Sequence, residues 1–157
     1  MDKNAACFTG HRNIEGIEIN TLMYKLDETI AQLTVRGVTT FLSGGACGFD
    51  QLAAEAVLRA REHNRDIILT MALPCLNQDD SWDEADKKTF RRILGDADHI
   101  IYATDQPYAD GCMLKRNQLL VERSGVCVAY MKHDRSGTSQ TVRLARENGL
   151  EIINLAE

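Results

Sequence analysis

Apolar residues in this chain fall into short continuous runs that alternate with segments of helical period. The runs cover 5–9, 38–42, 67–73, 99–103, 126–131 and 151–155. Their nearly unbroken apolar character predicts strands buried on both faces. The intervening segments predict helices over 19–35, 51–63, 84–94, 113–124 and 139–148. In the first helix Leu22, Leu26, Ile30 and Leu33 share one face, and in the second Leu52, Ala53, Ala56, Val57 and Ala60 do so. Gly37 and Gly149 stand where helices end, and Pro74 stops the third strand. Strands and helices in strict alternation predict an α/β fold. It is a three-layer, doubly wound, mainly parallel sheet with right-handed crossovers, in a single domain over 1–157.

Composition narrows the function more than the fold. A chain of 157 residues can bury about two thirds of its unfolded surface, enough for one sizeable core. The net charge of -5 argues against a nucleic-acid partner held by phosphate neutralisation. No apolar run approaches the ~18 residues of a membrane span. The start, Met1-Asp2-Lys3-Asn4, lacks a cationic leader followed by an apolar stretch, so the expected location is cytoplasmic. The five cysteines, Cys7, Cys47, Cys75, Cys112 and Cys127, form no C-x-x-C pair and read as structural thiols. His63, His99 and His133 lack metal-ligand spacing, so no metal site is expected.

In a doubly wound sheet, ligands bind at the carboxyl ends of the strands, so the turns after the strands share one rim. Ser43-Gly44-Gly45-Ala46-Cys47-Gly48-Phe49-Asp50 joins the second strand to its helix and has the make-up of an anion cradle. It lacks both the G-x-G-x-x-G spacing of a dinucleotide fingerprint and the lysine of a P-loop. Asp50 stands where it can cap the helix or accept from a sugar hydroxyl. Thr9-Gly10-His11-Arg12 offers a guanidinium for phosphate and an imidazole for proton transfer. Arg116 and Asn117 open the fourth helix, and Ser136, Gly137 and Thr138 open the fifth, where a second phosphate or a ribose can sit. Trp82 on the third rim loop, with Tyr108 nearby, can stack on a base or pack its own loop down.

Taken together, these stretches, with Leu52, Ala53, Ala54 and Glu55 after the glycine-rich turn, resemble the YpsA-like (DUF1273) family of the SLOG superfamily. That superfamily is named for its SMF/DprA and LOG members. The resemblance spans essentially the whole chain, and Pro74, Gln78 and Trp82 match its middle loop. It implies a Rossmann-like fold that binds a nucleotide or a nucleotide derivative, of the NAD or ADP-ribose kind, on the glycine-rich loops. It also implies a sensor or regulator with links to bacterial division and stress.

The similar LOG branch contains nucleotide phosphoribohydrolases with motifs M-H-x-R-K and P-G-G-x-G-T-x-x-E. Here Met113-Leu114-Lys115-Arg116-Asn117 keeps the Met and Arg, and Ser136-Gly137-Thr138 keeps the Gly-Thr. Thr141 stands in place of the glutamate, which removes the carboxylate that glycosidic cleavage needs unless Asp50 or Glu55 supplies one. The stretch Ser43-Gly44-Gly45-Ala46-Cys47-Gly48-Phe49-Asp50 also resembles the matching loop of the DprA branch, which implies nucleic-acid binding as an alternative.

The expected function is thus nucleotide binding, with an N-glycosidase and a DprA-like or division-associated interaction protein as alternatives. The expected partner is a small nucleotide. A second copy of the chain, meeting through the mixed-charge helix 84–94, and a protein partner are further candidates.

Overall fold

The computed structural model describes residues 4–133 and 137–157. Six strands and five helices alternate through them: β1 (Ala5–Gly10), α1 (Gly16–Val35), β2 (Thr40–Ser43), α2 (Phe49–Arg61), β3 (Ile68–Leu73), α3 (Glu84–Asp96), β4 (His99–Tyr102), α4 (Cys112–Glu122), β5 (Val126–Tyr130), α5 (Gly137–Glu147) and β6 (Glu151–Asn154). All strand pairs are parallel, in the order β4-β3-β2-β1-β5-β6. The sheet is doubly wound and Rossmann-like, as the alternation predicts.

Each face of the sheet carries its own layer. On one, Phe8, Phe41, Leu69, Met71 and Val128 meet Leu22, Leu26, Ile30 and Leu33 of α1, Ala53 and Val57 of α2, and Phe90 and Ile93 of α3. On the other, Ala5, Cys7, Leu42, Ala72 and Cys127 meet Leu120 and Val121 of α4 and Ala145 of α5. Phe8 stacks on Phe41 at 6.0 Å and meets Phe49 edge-on at 6.2 Å, which pins the start of α2 to the sheet centre. Leu26 is fully buried in this layer, so Leu26→Ala should cost about 2–5 kcal/mol, read from the shift in urea midpoint at constant m-value. A loss under about 1 kcal/mol would contradict the packing described.

Element ends differ from the pattern by up to three residues, for local reasons. Val38 is buried, but its amide donates to Leu33 O at 3.0 Å and closes α1, so β2 begins at Thr40. The helix α1 begins at Gly16 rather than 19, because its first turn carries the exposed Ile17, which gives no inward apolar signal. At α3 the local code is plain: the Asp83 side chain accepts from the Asp86 amide at 2.9 Å and starts the helix.

Cys7 and Cys127 face each other across β1 and β5 in the core, and all five cysteines are free. Burial pushes the half-buried Cys47 thiol up, with Asp86 adding to it, which disfavours a thiolate. No helix among the described residues is long and apolar enough to cross a membrane.

Candidate functional site

The chain steps outward from β1 to β4 and then returns to the other side of β1 with β5, so the topological switch lies between β1 and β5. A cleft of about 580 Å³ opens there, at the strands' carboxyl ends. Thr9, Gly10, His11 and Arg12 line it from the turn after β1. Arg116 and Asn117 line it from α4, and Gly137 and Thr138 from the start of α5. Ser136 lies outside the described residues.

The glycine-rich turn contributes to this cleft in an unexpected way. Of Ser43 to Asp50, only Ala46 and Asp50 line it. Ser43 is fully buried; its hydroxyl donates to Asp50 O at 2.8 Å and accepts from Gly45 N–H at 3.3 Å, tying the turn to the helix it starts. A Cβ at Gly44 would lie 2.2 Å from the Arg116 guanidinium, and one at Gly45 2.7 Å from the Phe90 ring. A Cβ at Gly48, whose φ is +82°, would lie 2.1 Å from the Arg12 carbonyl oxygen. The glycines therefore act beneath the cleft. They admit the backbone of the neighbouring turn and one buried cation.

That cation is Arg116, which reaches under the turn from α4 and donates to Gly44 O at 3.0 Å and Asn117 Oδ1 at 3.0 Å. Asn117 in turn donates to Gln140 at 3.2 Å, linking α4 to α5 at the cleft wall. Burial lowers the Arg116 pKa against the pull of Asp50, yet a guanidinium stays charged. Asp50 is 6% exposed, and burial pushes its carboxyl up to about 6 despite Arg116, the Ala46 amide and Arg12. Its Oδ1 is buried and accepts no hydrogen bond. A desolvated carboxylate oxygen without a donor, on the wall of a cleft, can accept a hydrogen bond from a hydroxyl or an amine.

Elsewhere on the cleft wall, a second group of charges is already satisfied. Lys132 and the Tyr130 hydroxyl both donate to Glu18, whose pKa is lowered by the Lys132 bond first and the Tyr130 bond second. His11 accepts from the Lys132 amide through Nε2 at 2.9 Å, which leaves Nδ1 carrying the proton. Its ring stacks on His133 at 4.4 Å; burial, then His133 and Lys132, lower its pKa and favour the neutral form. Arg12, by contrast, has no hydrogen bond or ion pair with any described residue, and it stands at the cleft's edge.

Trp82 lines an adjoining recess instead of the cleft, with its ring edge-on to Phe90 at 5.0 Å. Thr141, where LOG enzymes carry glutamate, is fully buried and donates to Gly137 O at 3.3 Å, so it does not reach the cleft. Lys132, Glu18 and Gln140 also line the cleft and carry no signal in the sequence. Nothing in their spacing sets them apart from other surface polar residues. Among the described residues, no group of three His, Cys, Asp or Glu side chains is placed to hold a metal ion.

The YspA SLOG family model matches residues 6–149, from the second residue of β1 to just past α5, which takes in the whole rim. The chain belongs to the YspA SLOG family. A UPF0398 protein of Halalkalibacterium halodurans is 31% identical over 113 residues, 71% of this chain and 60% of that protein. A UPF0398 protein of Bacillus anthracis is 26% identical over 136 residues, 81% of this chain and 74% of that one. The matched region thus spans about three fifths of the first relative's length.

Two solved structures of DNA processing protein A share the fold of this YspA SLOG chain. The Helicobacter pylori protein, described by its single-stranded DNA binding mode, matches with a TM-score of 0.67 and 22% identity over 94% of this chain and 63% of that one. The Streptococcus pneumoniae protein matches with a TM-score of 0.69 and 18% identity over 94% and 48%. At these identities the likeness is one of fold. It gives no support to the expectation, drawn from net charge, that nucleic acid is not a partner.

Proposed function

We propose that this protein binds a phosphorylated nucleoside or a nucleotide derivative of the ADP-ribose kind in the cleft between β1 and β5. One observation carries the reading. A buried, donorless Asp50 oxygen lies on the wall that also holds Arg116, the start of α5 and the unpaired Arg12. A ribose hydroxyl donating to Asp50, with a phosphate on Arg12 and the amides of Gly137 and Thr138, would satisfy all of these groups at once. Membership of the YspA SLOG family is consistent with it.

Calorimetry with ADP-ribose, NAD, AMP and GMP tests the proposal. We expect at least one to bind, and Arg12→Ala to weaken it about 10- to 100-fold, the effect of one charge-assisted phosphate contact. Equal, negligible heats for both proteins would sink it. A labelled single-stranded oligonucleotide, followed by fluorescence polarisation, is the second arm. Its binding in place of the mononucleotides would replace the small-molecule reading with a DNA one. Variants at Gly45 are unsuitable here, because a side chain there strikes Phe90 and tests folding.

A second reading, nucleotide hydrolysis, is favoured by the Asp50 carboxyl at about 6, which can hold or release a proton near neutral pH. Chromatography for free base released from the same nucleotides decides it. Intact nucleotide after prolonged incubation leaves the binding role alone.

A further inference from the structure

Beside the cleft lies a recess of about 440 Å³, and Arg12 and Met113 line both cavities. Its wall carries the Trp82 indole, held in place by Phe90, and the Tyr108 ring, which is 60% exposed. The backbone of Tyr108 is tied down as well, donating to Asn77 Oδ1 at 2.7 Å. Two aromatic side chains thus stand over a hollow, on loops that are fixed locally.

Gln78 lines the same recess, and its amide orientation is set. Nε2 donates to Gly44 O at 3.1 Å, and a carbonyl can only accept, so the other end of the amide is the oxygen. That Oε1 is buried and has no donor. The Gly44 carbonyl also accepts from Arg116 at 3.0 Å. One backbone oxygen therefore anchors a side chain from each cavity, and each cavity keeps one buried acceptor unfilled, Asp50 Oδ1 and Gln78 Oε1. Two unpaired acceptors flanking one unpaired cation match a ligand with donors at both ends and negative charge between them.

We propose that the recess is the nucleobase subsite. The base stacks against Trp82 and Tyr108 and donates an N–H to Gln78 Oε1, while Arg12, on the shared wall, meets the phosphate that joins the two halves. The inference rests on the nucleotide reading of the cleft and adds the class of base: one that presents an N–H donor, as adenine does with its exocyclic amine, because the free group at Gln78 is an acceptor. A site whose buried acceptor needs a donor discriminates against an isosteric base that lacks one.

Trp82 is the sole tryptophan of the chain, so its emission reports on this recess directly. Three probes are titrated by fluorescence and calorimetry: AMP, purine riboside 5′-monophosphate (the same base without its amine) and ribose 5-phosphate. We expect AMP to quench Trp82 and to bind about tenfold more tightly than the amine-free analogue, the worth of one neutral hydrogen bond. Ribose 5-phosphate should give heat without a change in emission. Gln78→Met should abolish the tenfold difference, and the analogue comparison on the unaltered protein stands even if that variant fails to fold. If AMP and its analogue bind equally, or all three bind without moving the emission, the recess assignment is overturned while the cleft reading survives. If none of the three, nor ADP-ribose, binds, both fall together.

Discussion

Gly48→Ala should destabilise the protein by about 2–5 kcal/mol. Two costs add at this residue. Its φ of +82° lies in the region that costs an L-residue about 1–2 kcal/mol. The new Cβ would also lie 2.1 Å from the Arg12 carbonyl oxygen and 2.7 Å from its Cα. Backbone atoms cannot swing aside as the end of a side chain can, so the turn after β1 must shift, at about 1–3 kcal/mol for forced repacking. That turn is held by Phe49 N–H donating to His11 O at 3.1 Å, and the same shift would move Arg12. Urea denaturation measures the loss, and ligand affinity should fall with it. Gly95→Ala is the control: a Cβ in that helical position meets nothing within 4 Å, so the variant should gain about 1 kcal/mol from helix propensity. Equal effects at the two sites would mean that the turn is looser than the contacts indicate.

Asp50→Asn should do the opposite and stabilise the protein at neutral pH. Burial raises the folded-state carboxyl from 3.8 to about 6, which corresponds to about 3 kcal/mol at 1.36 kcal/mol per tenfold in the ionisation constant. The sign follows from where each state releases its proton. Below about pH 4 the group is protonated folded and unfolded, and nothing is lost. Between about 4 and 6 the unfolded chain ionises first, so stability falls as pH rises. Above about 6 the folded state carries a desolvated carboxylate, and the full cost is present.

The amide variant should therefore exceed the native protein by up to about 3 kcal/mol at pH 7, and the difference should vanish near pH 4. Urea midpoints at the two values check it. A less stable variant at pH 7 would show that Asp50 serves as the counter-charge of the buried Arg116 and is not held in reserve for a ligand. Under the proposed nucleotide reading, that cost to stability accompanies a carboxylate oxygen left open to a ligand hydroxyl.

Much of the fold was legible in the order of residues. The strand runs and the helical faces with Leu22, Leu26, Ile30 and Leu33 are local signals, and their alternation leads to a parallel, doubly wound sheet by chirality and burial alone. The misplaced ends have local causes too, such as the Val38 amide closing α1. The rim was also legible, because in such a sheet the turns after the strands meet on one edge whatever their contents. Thr9 to Arg12, Asp50, Arg116, Asn117, Gly137 and Thr138 are brought together there. Trp82 and Gln78 fall in the neighbouring recess, a division that no spacing could reveal.

The meaning of Ser43 to Asp50 is what only the tertiary structure decided. Its composition is that of an anion cradle, yet its glycines are spaces left for the Arg12 backbone, the Arg116 guanidinium and the Phe90 ring. Arg116 and Gly44 are 72 positions apart, and their hydrogen bond exists only because β2 ends and α4 begins at the same edge of the sheet. The Asp50 carboxyl is displaced for the same reason: desolvation depends on what surrounds a side chain in space. Periodicity determined where the site lies, since it depends on near neighbours in the chain. Close packing between distant segments determined which residues face it and which groups are left unpaired.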